Sequence, residues 1–448
     1  MKNPQKLFVL LGLLMGFSPV VKAQSGDAES AVKYRRNSLH LILVESEDFP
    51  RKETVMKAYS NAPFPEKYNN HSIGFNSFDP TQFNVTGTTQ TASTSSKKGM
   101  FSGLKSAAGA VANADGDGSD MSMTINKFIK DKKVANQLIA KWFNRQADGS
   151  FDMKLVAERG SYNASEMEAN IAKGSARGTA SLADAGEELI KNTFVVFTKL
   201  KFVSNEPIAA AIRLAAKSQT GKLGYFQILA DAAADKIYEK TKEGYSVWTT
   251  SYLYRLKWND TTAAVFYDKY WMDKKSLDVK KKEAFNNSTD FDMEFVGSEK
   301  SSTLVTFSLK TQRTEDQTVE LATIRNVDNV FAKLQKEYDV FKPKTPLYSG
   351  DPITAKIGLK EGIEGGDKFE VLEQTLDPKT GLTSYVRKGI ISVDKNSIWD
   401  NRYNAAEGEV SDKDDKDNKK DKSKTPLDRT TFKGGKNFAA GMLIRQIK

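Results

Sequence analysis

The sequence contains no cysteine. Disulfide staples, zinc–thiolate sites and cysteine nucleophiles are excluded, as is a bacterial lipid anchor, which needs a cysteine at its cleavage site. Histidine is almost as scarce: only His40 and His71 occur, far apart and without the HExxH spacing of a zinc protease. No serine occupies a G-x-S-x-G elbow, because Gly174-Ser175-Ala176-Arg177-Gly178 has alanine at the nucleophile position. A phosphate-binding loop is missing too; Lys222 follows Gly221, but the earlier glycine of that motif is absent. Asn113-Ala114-Asp115-Gly116-Asp117-Gly118 opens like a calcium loop, yet Thr124 stands where a bidentate carboxylate is required. No metal and no cofactor is therefore expected. Carboxylates such as Glu158, Asp184, Glu187 and Glu188 abound, and two at a suitable separation hydrolyse glycosides, but no spacing singles out a pair.

What the sequence does carry begins with an address. Lys2 and Lys6 flank the start of an apolar segment, Leu7 to Phe17, and Val21-Lys22-Ala23 follows as a cleavage site. That order is the pattern of a secretory signal peptide, too short to cross a bilayer of about 30 Å. Residues 1–23 are expected to be removed on export. The mature chain is then expected in the bacterial periplasm or peripherally at the outer membrane. The 67 Lys and Arg outnumber the 57 Asp and Glu. Export removes nucleic acid as a partner, and no arginine-rich cluster stands out. The expected partner is an envelope protein or a cell-wall polymer.

The chain is organised around residues 182–203. Leu182, Ala185, Leu189 and Ile190 recur at helical spacing, and the β-branched and aromatic run Thr193 to Val203 follows as a buried, central strand. Ahead of it, Leu39 to Val44 reads as a strand, and residues 86–120 as a flexible Thr/Ser/Gly/Ala-rich insertion. A helical stripe runs from Phe128 to Arg145, Phe151 to Glu158 reads as a strand, and Asn163 to Ala172 as a helix. Glu206-Pro207 opens another helix, with proline where its missing N–H costs nothing. A further helix, Tyr225 to Lys242, is expected to bury Ile228, Leu229, Ala232 and Ile237. Strands follow through Phe295 and from Leu304 to Leu309, then a helix from Val319 to Tyr338.

Lys342-Pro343-Lys344-Thr345-Pro346 reads as a short stiff linker. Beyond it the pattern is all β: Ile353 to Leu359, Lys368 to Glu373, Ser384 to Lys388, Gly389 to Val393 and Met442 to Ile447. Asp377-Pro378-Lys379-Thr380-Gly381 supplies a turn, and residues 404–424 a charged loop. The expected class is α+β. An N-terminal α+β region (24–145) and an α+β middle domain (146–342) precede a small β domain (347–448).

The sharpest candidate site is aromatic. Trp248, Tyr252, Tyr254 and Trp258 alternate along one segment, Asn259 to Thr262 reads as a turn, and Val265 to Trp271 as the returning strand of a hairpin. An exposed row of this kind stacks sugars. The competing expectation is a half-buried face packed under the Tyr225 helix. Solvent exposure of the four side chains decides between them.

The segment Ile353 to Glu373, with Gly358, Gly362, Gly366 and Asp367 in a G-x-x-x-G-x-x-x-G-D turn, resembles the C-terminal SH3-like domain of the flagellar assembly protein T family. The resemblance implies an SH3-like β-barrel behind a small α+β domain, and a non-enzymatic envelope assembly or scaffold role. It carries over no catalytic residues. The alternative is a glycan-binding or glycan-cleaving protein that uses the aromatic hairpin with a carboxylate pair.

Overall fold

The computed structural model describes residues 37–83, 119–162, 189–220, 227–305, 313–376, 383–405 and 427–447. In chain order the first part runs β1 (Asn37–Val44), α1 (Lys52–Asn61), β2 (Tyr68–Asn70), β3 (Ser77–Phe78), α2 (Ser119–Asp131), α3 (Val134–Trp142) and α4 (Lys154–Tyr162). Then come β4 (Thr193–Ser204), α5 (Asn205–Thr220), α6 (Gln227–Thr241), β5 (Tyr245–Leu256), α7 (Asp260–Val265), α8 (Val279–Asn287), β6 (Met293–Val305) and α9 (Glu315–Glu337). The class is α+β, as expected.

These strands form one mixed sheet in the order β2-β1-β4-β5-β6, with β3 also paired to β1. β1 and β4 run parallel, whereas β4, β5 and β6 are antiparallel neighbours. The Thr193 strand therefore lies in the middle. It is hydrophobic on both faces because both are covered. Phe194, Val196 and Leu200 meet Val319, Val330, Phe331 and Leu334 of α9 on one side. Val195 and Phe197 meet Phe128, Leu138, Ile139 and Trp142 of α2 and α3 on the other.

β4 and β5 stay in register from Phe194↔Arg255 to Ser204↔Tyr245. The connection between them is the helix pair α5–α6, which packs chiefly on itself. Arg213 and Lys217 of α5 both pair with Asp235 of α6, and the Arg213 guanidinium lies 4.9 Å from the Tyr238 ring centroid. Ala234 is buried there, but Ala232 and Ile237 are exposed, contrary to the expectation for this helix. The side chains of Ile228 and Leu229 lie outside the described residues.

The expected aromatic hairpin is not formed. Asn259 does not turn a hairpin; its side chain accepts a hydrogen bond from Thr262 N at 2.9 Å and starts α7. Phe266–Tyr270 continues as a π-helical turn. β5 pairs instead with β6, one continuous strand where two were expected. Phe151 to Glu158 is likewise no strand: Asp152 accepts from Lys154 N and α4 begins at Lys154. The Phe128 stripe is split at Lys133, whose φ of 49° separates α2 from α3. The Asn163 helix, the calcium-like hexapeptide, most of the 86–120 insertion, the Asp377 turn and residues 406–426 lie outside the described residues.

The C-terminal part contains β7 (Thr345–Gly350), β8 (Ile353–Ala355), β9 (Lys368–Leu376), β10 (Thr383–Val393), β11 (Thr430–Lys433) and β12 (Leu443–Ile447). Their pairings close in the order β10-β11-β8-β7-β12-β9 around a core of Leu347, Ile357, Phe369, Val371, Ile391, Phe432 and Ile444. The two short strands expected at Ser384 and Gly389 are one, with a register shift between Arg387 and Gly389. Gly362 and Gly366 adopt φ of 69° and 91°, left-handed values that glycine reaches without strain. The expected linker is part of the fold: Thr345 and Pro346 belong to β7, and Lys342 and Thr345 are buried.

Candidate functional site

The four aromatic candidates divide. Tyr252, Tyr254 and Trp258 are only 3%, 1% and 8% exposed, while Trp248 is half-buried. Tyr254 meets Phe197 edge-on with ring centroids 5.5 Å apart, and Trp258 lies 5.7 Å from both Phe143 and Phe266. Among the described residues the cover comes from α2, α3 and the 260–271 segment. Trp248 lies farther along β5, opposite Lys201 and Ser302. The four side chains therefore present no continuous exposed row.

Both histidines are structural. Arg159 Nη1 donates to His71 Nδ1 and to Ser38 Oγ at 2.9 Å each, and its Nη2 donates to the Asn70 carbonyl at 2.9 Å. Nε2 of His71 then carries the ring proton and donates to the Leu138 carbonyl at 3.0 Å. Burial first, and the Arg159 charge second, hold His71 well below the ordinary histidine range. The guanidinium lies 4.6 Å from the Trp142 ring centroid, and burial lowers its own pKa to about 10. This network ties β1, β2, α3 and α4 together. His40 sits on β1 with its ring edge-on to Phe75, and neither ring nitrogen has a partner in hydrogen-bonding geometry. Burial, with Lys141 adding, pushes its pKa down to about 4, weakly opposed by the Phe75 backbone.

A cleft of about 580 Å³ opens at the C-terminal ends of the parallel strands β1 and β4. Open sheets with parallel strands commonly place ligands at such ends. Glu45, Glu47, Asp48 and Asp79 line one wall, and Lys199 and Lys201 the other. Much of this charge already serves local structure. Glu45 accepts from Ser77 Oγ at 2.8 Å, Glu47 pairs with Lys52 at 2.6 Å, and Asp79 accepts from Thr81 N and Oγ1. Those Thr81 hydrogen bonds hold Asp79 below the usual carboxylate range. Among the described residues no group of three or more His, Asp or Glu converges as a metal site.

A second cleft, about 280 Å³, lies in the seam between α9 and the C-terminal barrel. Asp328 of α9 faces Lys360 of the short Leu359–Glu361 turn, 3.6 Å away. Its Oδ2 is buried without a hydrogen-bond partner. Glu361 accepts from Gly358 N at 2.7 Å and from Asn401 Nδ2 at 2.8 Å, which fixes the turn. Trp399 and Arg402 complete the opposite wall.

No protein-family model matches this chain, and no curated protein matches it either.

Another surface with exposed apolar side chains is the α5–α6 arm. Leu214 is 73% exposed and Ile237 53%, on two helices whose buried apolar side chains, among the described residues, are Ile208, Ala209 and Ala234. Sequence periodicity placed Ile228, Leu229, Ala232 and Ile237 on one face of the second helix. It could not show that part of that face points to solvent. The His71–Arg159 contact was equally invisible, because its partners lie far apart in sequence. The acids of the sheet-end cleft were visible only as a cluster after a strand.

Proposed function

We propose that this chain is an exported, non-enzymatic protein of the bacterial envelope that works by holding another envelope protein. The α5–α6 arm is its contact element, and its C-terminal barrel is of the SH3-like kind. The observation that carries the proposal is the arm itself. It packs mainly on its own two helices and holds Leu214 and Ile237 in water, where large apolar side chains are most useful if a partner covers them. The glycan alternative is weakened by the burial of Tyr252, Tyr254 and Trp258. Support for the SH3-like label comes from the small closed barrel and the positive-φ glycines between β8 and β9.

The test is fractionation of cells producing the full chain. Mature protein beginning after Ala23 should stay with the envelope after osmotic shock. The double variant Leu214→Asp/Ile237→Asp, with an unchanged circular dichroism spectrum, should be released. Retention of the double variant together with loss of retention in Trp248→Ala would favour the glycan reading. An intact Met1 in the purified protein, read by mass spectrometry, would remove export from the proposal.

A further inference from the structure

The seam between α9 and the barrel is built from polar contacts. Lys67 Nζ donates to the Lys356 carbonyl at 2.7 Å, Arg325 reaches the Tyr403 and Asn404 carbonyls, and Lys336 pairs with Asp367 at 3.5 Å. Apolar contact adds to these: Tyr403 packs against the core cluster that holds the α9 side chains, and Ala332 lies under Gly362, where a Cβ would come within 2.9 Å of the Ala332 Cβ. The barrel core and the two sheet cores are separate clusters. Seams of this kind between units of one chain allow relative motion unless they are large and hydrophobic.

One group in the seam has a charge its surroundings poorly satisfy. The Asp328 side chain is 12% exposed, its Oδ2 has no hydrogen bond, and its closest cation stands off at 3.6 Å. The other charges facing it are Glu361, Lys356, Asp400 and Arg402 from the barrel, and Glu66 and Lys67 from the segment before β2. Lys67, Arg402 and Glu361 already have the bonds that hold the seam and the turn. Opening the seam would return the carboxylate to water. Protonating it would remove the reason to open.

We propose that this seam is a pH-responsive joint, in which protonation of Asp328 closes the barrel onto α9 and ionisation loosens it. The direction follows from linkage. The closed state raises the Asp328 pKa to about 6, chiefly by burial and against the pull of Lys360, whereas the open state leaves an ordinary carboxyl of about 4. Between those values the closed state binds more protons, so closure weakens as pH rises through the window and is constant above it. Two pH units of difference correspond to on the order of 100-fold in the closing equilibrium.

The absence of native cysteine makes the measurement direct. Lys130→Cys on α2 and Lys436→Cys on the barrel, both exposed positions, take one spin label each in the otherwise unaltered chain. Electron–electron distances are then recorded across pH 4 to 8 without denaturant, with a circular dichroism spectrum at each pH to show that the chain stays folded. The closed distance should dominate at low pH and give way to a longer, broader one above pH 6. Asp328→Asn should abolish the pH dependence. Lys360→Met, which removes the facing cation, should shift the midpoint to higher pH. A distance distribution independent of pH in the parent protein overturns the proposal. So does an Asp328→Asn variant that still responds, or a midpoint that Lys360→Met fails to raise.

Discussion

Tyr254 places a hydroxyl in the core with no partner, beside Phe197 and Phe295. A buried polar group left unsatisfied costs about 1–3 kcal/mol, while the ring itself contributes packing. Tyr254→Phe should therefore leave urea stability unchanged or raise it by about 1 kcal/mol. Tyr254→Ala should lower it by about 3–5 kcal/mol. A sugar-stacking tyrosine would behave differently, since its truncation in free protein would cost almost nothing. His40 gives a second test at this scale. Its folded pKa of about 4 lies below the ordinary value of 6.5, so the unfolded chain binds the extra proton in between. Stability should be full above pH 6.5 and fall as the pH drops, by about 3 kcal/mol once pH 4 is reached. His71 adds a loss of the same sign. Urea midpoints at pH 7 and pH 5 check this, and His40→Gln should flatten the dependence.

Among the elements, the α5–α6 arm is the most separable. Ser204 and Tyr245 are already paired at its base. Replacing residues 205–244 by Asn-Gly would join β4 and β5 through a two-residue turn suited to antiparallel strands. The shortened protein should fold, with a melting temperature within a few degrees of the parent, as read by calorimetry. A collapse of the transition would show that the arm supports the sheet. At the start of α9, where Glu315 accepts from Tyr245 Oη, Thr314 accepts from Gln317 N, and the Gln317 side chain returns to Thr314 N. Thr314→Ala should cost about 1 kcal/mol.

The same elements show what periodicity can and cannot reveal. The central strand was legible because both of its faces are apolar, and the start of α5 because proline tolerates only the first turn. The segment after Trp258 was misread for a physical reason. An asparagine followed by aspartate and two threonines can make a turn or cap a helix, since either use points the same side-chain oxygen at a backbone N–H. Asp152 before α4 repeats the ambiguity. In both places aromatic residues suggested a strand, whereas the structure packs them around Phe143 and Phe285. The candidate aromatic row failed with them: alternation fixed which side chains share a face, but not which helices cover it.

At the scale of the whole molecule, protease access should follow packing rather than composition. The Lys342–Pro346 segment looks like a linker in sequence, but the Phe341 carbonyl just before it accepts from Tyr68 Oη at 2.8 Å and Thr345 is buried. Limited proteolysis should therefore cut elsewhere in the chain well before it cuts at 342–346. Early release of a fragment starting near Pro343 would contradict that ordering.

The parallel pairing of β1 with β4 also sets a timetable for synthesis. Leu39 to Val44 pairs along its length with a strand that begins roughly 150 residues later. At a translation rate of about 5–20 residues per second, this apolar segment waits on the order of 10–30 s for its main neighbour. During that interval Ser38-Leu39-His40-Leu41-Ile42-Leu43-Val44 is an uncharged, β-prone stretch without proline or glycine, the kind that joins other chains edge to edge. A holding chaperone that shields the first strand until the Thr193 strand arrives should therefore raise the yield of folded protein.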